Sequence, residues 1–108
     1  MSARSEYDAA YFTLLRAIEE RDALLGYRTY LETELQRLDG FAEQTRELAE
    51  PVPAKVRRPV EQTTKPLLEA VGQRRATVFV ELGRVEQRVA NAEAFVQECE
   101  AEVAALRR

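Results

Sequence analysis

The side chains best suited to binding are a short group in the first half of the chain, Tyr27-Arg28-x-Tyr30. Tyrosine and arginine are enriched at the centres of protein–protein contacts, and an arginine or aromatic ring can also stack on a nucleotide base. We therefore favour contact with a partner protein over binding of a small ligand. Simple packing against the side of a helix is the alternative explanation.

A second group of candidate residues is basic. Lys55, Arg57 and Arg58, with Lys65 nearby, form the only run of positive charge and are accompanied by the single acid Glu61. Such a cluster could contact an anion or a nucleic acid, but proteins that bind nucleic acids usually present a wider basic face. We rank nucleic-acid contact below two other roles: keeping an exposed segment hydrated, and neutralising the acidic helix of a neighbouring molecule.

Residues for catalysis are scarce. The chain has no histidine, one cysteine and four scattered glycines, which excludes histidine-dependent triads, nearly all zinc sites built from His and Cys, and glycine-rich phosphate loops. Paired acids such as Glu32 and Glu34 are typical of the solvated faces of long helices, and a catalytic pair would also need a pocket. We expect Cys99 to be buried and inert. The sequence thus predicts a protein without catalysis, cofactor or metal.

Composition limits the other classes. The 108 residues suit one domain, and the net charge of −3 gives no general attraction to nucleic acid or to an anionic membrane. No apolar run is long enough to cross a bilayer, and the first residues lack the apolar region of a secretory signal. A single cysteine forms no internal disulfide, which favours the reducing cytoplasm as the compartment.

The second half of the chain carries the clearest structural pattern. Apolar residues recur at alternating steps of three and four over more than five heptads, which is the pattern of a coiled-coil seam. It predicts a helix over about 67–107, and only Arg75 interrupts the apolar seam. The seam consists of Leu68, Val71, Arg75, Val78, Leu82, Val85, Val89, Ala92, Val96, Cys99, Val103 and Leu106.

A first helix is predicted over about 7–50, after a frayed start at 1–6, and Gly26 and Gly40 are the two places where it could be interrupted. All four prolines then fall in the segment 51–66. Because proline lacks an N–H and restricts the preceding residue, this segment is predicted to be a semi-rigid, basic linker. Thr63 or Thr64 would cap the second helix.

The two helices match as an antiparallel pair. Reversing the chain in the linker places Leu38 opposite Val78, and it places Ile18 opposite Cys99 and Leu48 opposite Leu68. It also brings Glu43 near Arg75, and an ion pair there would fix the register. The predicted fold is all-α, a single-domain, long antiparallel two-helix coiled-coil hairpin over 1–108.

Apolar residues remain that one seam does not use. Exposed contiguous apolar surface usually marks an interface, so we predict that two hairpins pair into a four-helix assembly, as a homodimer, or that a helix of another protein covers the surface. The predicted partner-binding residues are Leu24, Tyr27, Arg28, Tyr30, Phe79 and Phe95.

The resulting functional prediction is a structural or adaptor module that acts by protein–protein interaction and self-association. The alternative is a regulator or chaperone-like hairpin that sequesters a partner helix. The plan of two long helices joined by a distinct tip resembles the prefoldin β-type subunits, but the four prolines argue against their β-hairpin tip. Similarity to the helical ligand motif of anti-sigma hairpins that bind cyclic di-GMP is limited to one acid. The corresponding positions are Asp22, Gly26, Thr29, Thr33 and Arg37.

Overall fold

The computed structural model describes Ser2–Arg107 and contains two helices, α1 (Ala3–Ala49) and α2 (Ala54–Leu106), with no strand among these residues. Interhelical contacts divide the chain into two compact units. The terminal unit combines the chain up to Thr29 with the chain from Gly83 onward, and the central unit is Tyr30–Leu82. In each unit α1 and α2 run antiparallel. The predicted all-α antiparallel hairpin is confirmed, and the four-helix assembly stays a prediction.

Helix α1 begins earlier than the sequence predicts and is not interrupted. The Ser5 backbone N–H donates a hydrogen bond to Ser2 Oγ over 3.2 Å, so Ser2 caps the helix and the first turn is ordered. The prediction of a frayed segment through residue 6 was wrong because it overlooked this cap. Neither Gly26 nor Gly40 breaks the helix, and no described glycine has a positive φ.

The connection between the helices is much shorter than the predicted linker of residues 51–66. Only the segment 50–53 is non-helical, and Pro59 and Pro66 lie inside α2. A proline within a helix removes one backbone hydrogen bond and costs about 3 kcal/mol or more. Val60, Thr64 and Leu68 are half-buried and continue the seam past both prolines, so tertiary packing offsets this cost. Thr63 is not a cap, because its hydroxyl donates to the Pro59 carbonyl.

In the terminal unit the core combines small and medium side chains. Ala17, Val96 and Cys99 form a buried cluster, and Leu14 and Ile18 pack against it. The predicted proximity of Ile18 and Cys99 is therefore confirmed. Val85, Val89 and Val103 are also buried. Near the chain ends Arg107 Nε donates to Tyr7 Oη over 3.4 Å, which links α1 to α2.

In the central unit Leu31, Leu38 and Val78 are buried, in agreement with the predicted match of Leu38 and Val78. The predicted match of Leu48 with Leu68 was wrong, because Leu48 is 78% exposed. The half-buried positions near Leu48 are Thr45 and Ala49. A threonine and an alanine thus hold the places in the repeat, and the larger leucine points outward.

Burial along the helices confirms the α2 seam, in which every predicted residue except Arg75 is buried or half-buried. The corresponding seam of α1 also steps by three and four, but it includes small and charged residues that a search for large apolar side chains passes over. Leu24, which was predicted to lie beside the seam, is half-buried within it, and so is Arg28. The α1 seam is Ala10, Leu14, Ala17, Arg21, Leu24, Arg28, Leu31, Leu35, Leu38, Ala42, Thr45 and Ala49.

Candidate functional site

The six predicted partner-binding residues do not form one site. Leu24 and Arg28 lie in the seam of the terminal unit, where Tyr27 and Phe95 are exposed. Tyr30 and Phe79 belong to the central unit and are also exposed. Tyr27, Arg28 and Tyr30 all interact with other residues of the chain. Among the six, the most exposed side chain is Phe79, at 61%.

One side of the central unit carries exposed apolar residues beside an interhelical ion pair. Glu34, Phe41 and Leu48 recur at intervals of seven residues on α1, and Leu67 and Arg74 have the same spacing on α2. Glu34 contacts Arg74 across the helices at 3.8 Å, so these two stripes lie on the same side of the unit. Phe41, Leu48 and Leu67 are exposed there, and we call these three residues the apolar flank. Sequence reasoning missed Leu67, although the heptad spacing from Arg74 would have indicated it.

Glu34 is the buried acid of this side. Arg37 holds it with two hydrogen bonds, from Nε to Oε2 at 3.1 Å and from Nη2 to Oε1 at 2.8 Å, and Arg74 adds the interhelical contact. The hydrogen bonds from Arg37 are the main reason why the pKa of Glu34 lies below its usual value. Burial opposes that shift, and the charges of Arg37 and Arg74 reinforce it. Glu34 therefore stays ionised in the folded protein at neutral pH.

This arrangement predicts a pH-dependent contribution of Glu34 to stability. An unfolded glutamate has a pKa of about 4.3, and the folded pKa is lower, so the ionised carboxylate stabilises the fold fully above that pH. The stabilisation is lost as the pH falls through the folded pKa. We expect Glu34→Gln to lower the free energy of unfolding at pH 7 and to have a smaller effect near pH 2, as measured by urea titration at both pH values.

The control for this prediction is Arg37→Ala, which removes the main hydrogen-bond donor. In that background Glu34→Gln should cost less at pH 7, and the difference between the two pH values should shrink. An equal loss of stability at both pH values would show that the cost of the glutamine comes from packing and not from charge.

The other side of the central unit contains a groove of about 720 Å³ between the helices. Ala42, Leu68 and Val71 supply its apolar part, and Gly72 adds no side chain that would fill it. Acidic residues from the last turns of α1 surround this apolar part together with two arginines. The charged lining residues are Asp39, Glu43, Arg46, Glu47, Glu50 and Arg75.

In the groove Arg75 forms an interhelical ion pair, but its partner is not the acid that was predicted. Arg75 Nε lies 2.6 Å from Asp39 Oδ1, so the predicted pair of Glu43 with Arg75 was wrong. Asp39 and Glu43 are one helical turn apart, and both line the groove. Because Arg75 pairs with Asp39, Glu43 forms no ion pair among the described residues. Glu47 and Glu50 form none there either.

The predicted basic residues lie in α2 rather than in a linker. Lys55, Arg57 and Arg58 occupy its first turns, Lys65 follows, and none of them forms an ion pair within the described part of the chain. Cations at a helix N-terminus oppose the helix dipole, at a cost of about 0.3–1 kcal/mol each. The acids at the end of α1 oppose the dipole of that helix in the same way. The charges at both helix ends therefore lower the stability of the isolated chain.

Cys99 is the only cysteine, and it is buried in the terminal unit. Burial is the main reason that the pKa of its thiol is raised, and Glu102 and Glu98 add to the effect. A buried thiol with a raised pKa is a poor nucleophile. Cys99 is consequently a packing residue in this fold, as the sequence indicates.

Among the residues that the structure describes, no group of three or more His, Cys, Asp or Glu side chains is placed to hold a metal ion. Nor does either helix, over its described length, contain a segment long and apolar enough to cross a membrane. In comparisons with known proteins, no protein-family model, curated protein or solved structure matches this chain.

Proposed function

We propose that the protein is a non-enzymatic coiled-coil module, structural or adaptor in role, that acts by binding a second copy of itself through the groove side of the central unit. The observation that supports this is the exposed Phe79. Arg58, Lys65, Gly72 and Phe79 recur at intervals of seven residues, so Phe79 lies on the stripe of α2 that borders the groove at Gly72. We place this function in the cytoplasm, in agreement with a single unpaired cysteine.

An exposed phenylalanine on the same helix stripe as an open groove is a typical anchor for a protein partner. Aromatic side chains dominate the energetics of such contacts when they become buried at the centre of the interface. The groove two turns along the stripe from Phe79 has an apolar floor and a charged rim, which is the usual composition of an interface core and its surroundings. Burial of Phe79 and of the floor by a second copy would remove from water the apolar surface that one hairpin leaves exposed.

Light scattering on a sizing column, over a wide range of protein concentrations, tests this function. We expect a dimer for the wild-type protein and a monomer for Phe79→Glu at the same concentration, because the glutamate would carry an unpaired charge into the interface. Phe79→Glu should weaken association at least about tenfold. Circular dichroism should show the same helix content for both proteins.

The control is Val80→Glu, at the neighbouring residue on α2. Val80 is also exposed but lies off the stripe shared by Gly72 and Phe79. The Val80→Glu substitution should leave the dimer intact. A wild-type protein that is monomeric at every concentration, or a Phe79→Glu variant with the wild-type mass, would rule out self-association through this side.

The apolar flank favours a second candidate function, the sequestration of another protein's helix. Phe41, Leu48 and Leu67 lie on the opposite side from the groove, so self-association there would leave them available. Exposed apolar residues at heptad spacing suit an amphipathic helix. A helical partner should bind the wild-type protein and Val80→Glu but should fail to bind Leu48→Glu; binding that ignores Leu48→Glu would exclude this function.

A further inference from the structure

We infer that the first turns of α2 from one copy dock in the acidic groove of the other copy, and that the contact is reciprocal. This inference rests on the proposed self-association and identifies the surfaces that meet. The docking segment is Ala54–Pro59, which carries Lys55, Arg57 and Arg58. The receiving surface is the groove whose rim carries Glu43, Glu47 and Glu50.

The docking segment is unpartnered in the isolated chain. Every residue from Ala54 to Pro59 is exposed, although the segment is helical. Val56 is among the exposed large apolar side chains and stands between the three cations. Arg58 lies on the same stripe of α2 as Gly72, and the positive charge of this turn matches a groove with an acidic rim.

The charges of the two surfaces are complementary and are not satisfied within one copy. The three acids and the three cations form no ion pairs among the described residues. The members nearest the helix ends, Glu47 and Glu50 on one side and Lys55 and Arg57 on the other, also oppose the dipole of the adjoining helix. Docking would place the cations near the carbonyl end of the partner's α1 and the acids near the amide end of the partner's α2, so that charge and dipole become favourable together.

The same chain cannot satisfy its own groove with this segment. Arg57 and Val71 lie on one continuous helix, and their separation of 14 positions corresponds to about 21 Å at 1.5 Å per residue. An arginine side chain does not span that distance. The floor of the groove at Val71 is therefore out of reach of these cations within one chain, and a second copy would supply both halves of the contact in a two-fold arrangement.

Charge reversal of each surface tests this docking. The first variant combines Glu43→Lys, Glu47→Lys and Glu50→Lys, and the second combines Lys55→Glu, Arg57→Glu and Arg58→Glu. Each variant alone should weaken dimerisation at least about tenfold, since close charge pairs at interfaces make contributions of this size or more. Both variants improve the match to the helix dipoles, so unfolding would not explain a loss of dimer.

Mixing the two variants in equal amounts is the decisive measurement. One variant then has two positive surfaces and the other has two negative surfaces, so a heterodimer with about the wild-type dissociation constant should form. Its dissociation constant should rise with salt concentration, because the contact is electrostatic. In the otherwise wild-type protein, Gly72→Leu should fill the groove and weaken the homodimer. It should not reduce the helix content, since a Cβ at Gly72 meets no atom within 4 Å.

Several outcomes would overturn the docking. Reversal variants that keep the wild-type mass while Phe79→Glu is monomeric would leave the proposed function standing and refute these surfaces. A mixture that fails to form a heterodimer would also refute them. A third outcome would refute them as well: the protein binds a nucleic acid oligomer, and charge reversal of the basic segment abolishes that binding but leaves the dimer unaffected. A wild-type monomer would refute both the function and the docking.

Discussion

Val85→Asp should destabilise the fold by about 4 kcal/mol. The Val85 side chain is fully buried, with a relative exposure of 0%. An aspartate there must lose its hydration or be protonated, and the replacement also removes apolar contacts between α1 and α2. Because small domains are stable by only about 5–15 kcal/mol, we expect most of the stability to be lost. Urea titration followed by circular dichroism at fixed protein concentration measures the change.

Val80→Asp is the matched control for Val85→Asp. It places the same residue in the same helix, and Val80 is 52% exposed. Surface substitutions of this kind usually change stability by less than about 0.5 kcal/mol. If the two variants lost stability equally, helix propensity and not burial would explain the cost, and the seam position of Val85 would be wrong.

The second large effect is a gain in stability. We expect the triple variant Gly26→Ala, Gly40→Ala and Gly83→Ala to be more stable than the wild type by about 2–3 kcal/mol, at roughly 1 kcal/mol per site. All three glycines lie inside helices without positive φ, and an added Cβ would meet no atom within 4 Å. No added Cβ contacts a neighbouring atom, so the three contributions should add.

The same urea titration, or thermal melting, measures this gain, and Ala76→Gly provides the reverse control. Ala76 is exposed in α2, so its replacement by glycine should lower the free energy of unfolding by about 1 kcal/mol. No gain from the triple variant would indicate that the glycines are needed where they stand, for example for close approach of a partner. Gly72 is left unchanged in this test because it borders the groove.

The seam of α2 was predictable from the sequence because its residues are nearly all large and apolar. Val78, Val85 and Val96 are its most buried side chains. The repeat of three and four residues then determines both the helix and the face that it buries. The antiparallel pairing was also predictable, since a chain that reverses once can align its two apolar seams in only a few registers.

The seam of α1 was harder to predict because some of its positions hold small side chains, while a large apolar side chain lies outside the repeat. Ala17 and Thr45 hold seam positions, whereas the larger Leu48 faces water. A search for large apolar residues selects Leu48 and passes over both smaller side chains. Counting the phase outward from Leu31 and Leu38 would have avoided this error.

The prolines misled the prediction for a different reason. Local propensity assigns 51–66 to a linker, and Pro59 and Pro66 both disfavour a helix. The packing of Val60 and Thr64 in the seam outweighs that local cost. This packing depends on both helices, so the propensity of a single residue does not predict it. The groove was also beyond prediction, since it depends on side chains from both helices. The charges around it were visible in the sequence.

The order of folding follows from the short connection at 50–53. In the unfolded chain the contact between Asp39 and Arg75 closes a loop of 36 residues, and the contact between Tyr7 and Arg107 closes one of 100. The longer loop costs about 0.9 kcal/mol more in chain entropy. We therefore expect pairing to start near the turn and to proceed towards the chain ends. Once the preceding turns are paired, each new contact closes only a short loop. Unfolding should proceed in the reverse direction, so amide hydrogens near Tyr7 and Arg107 should exchange before those near Val78.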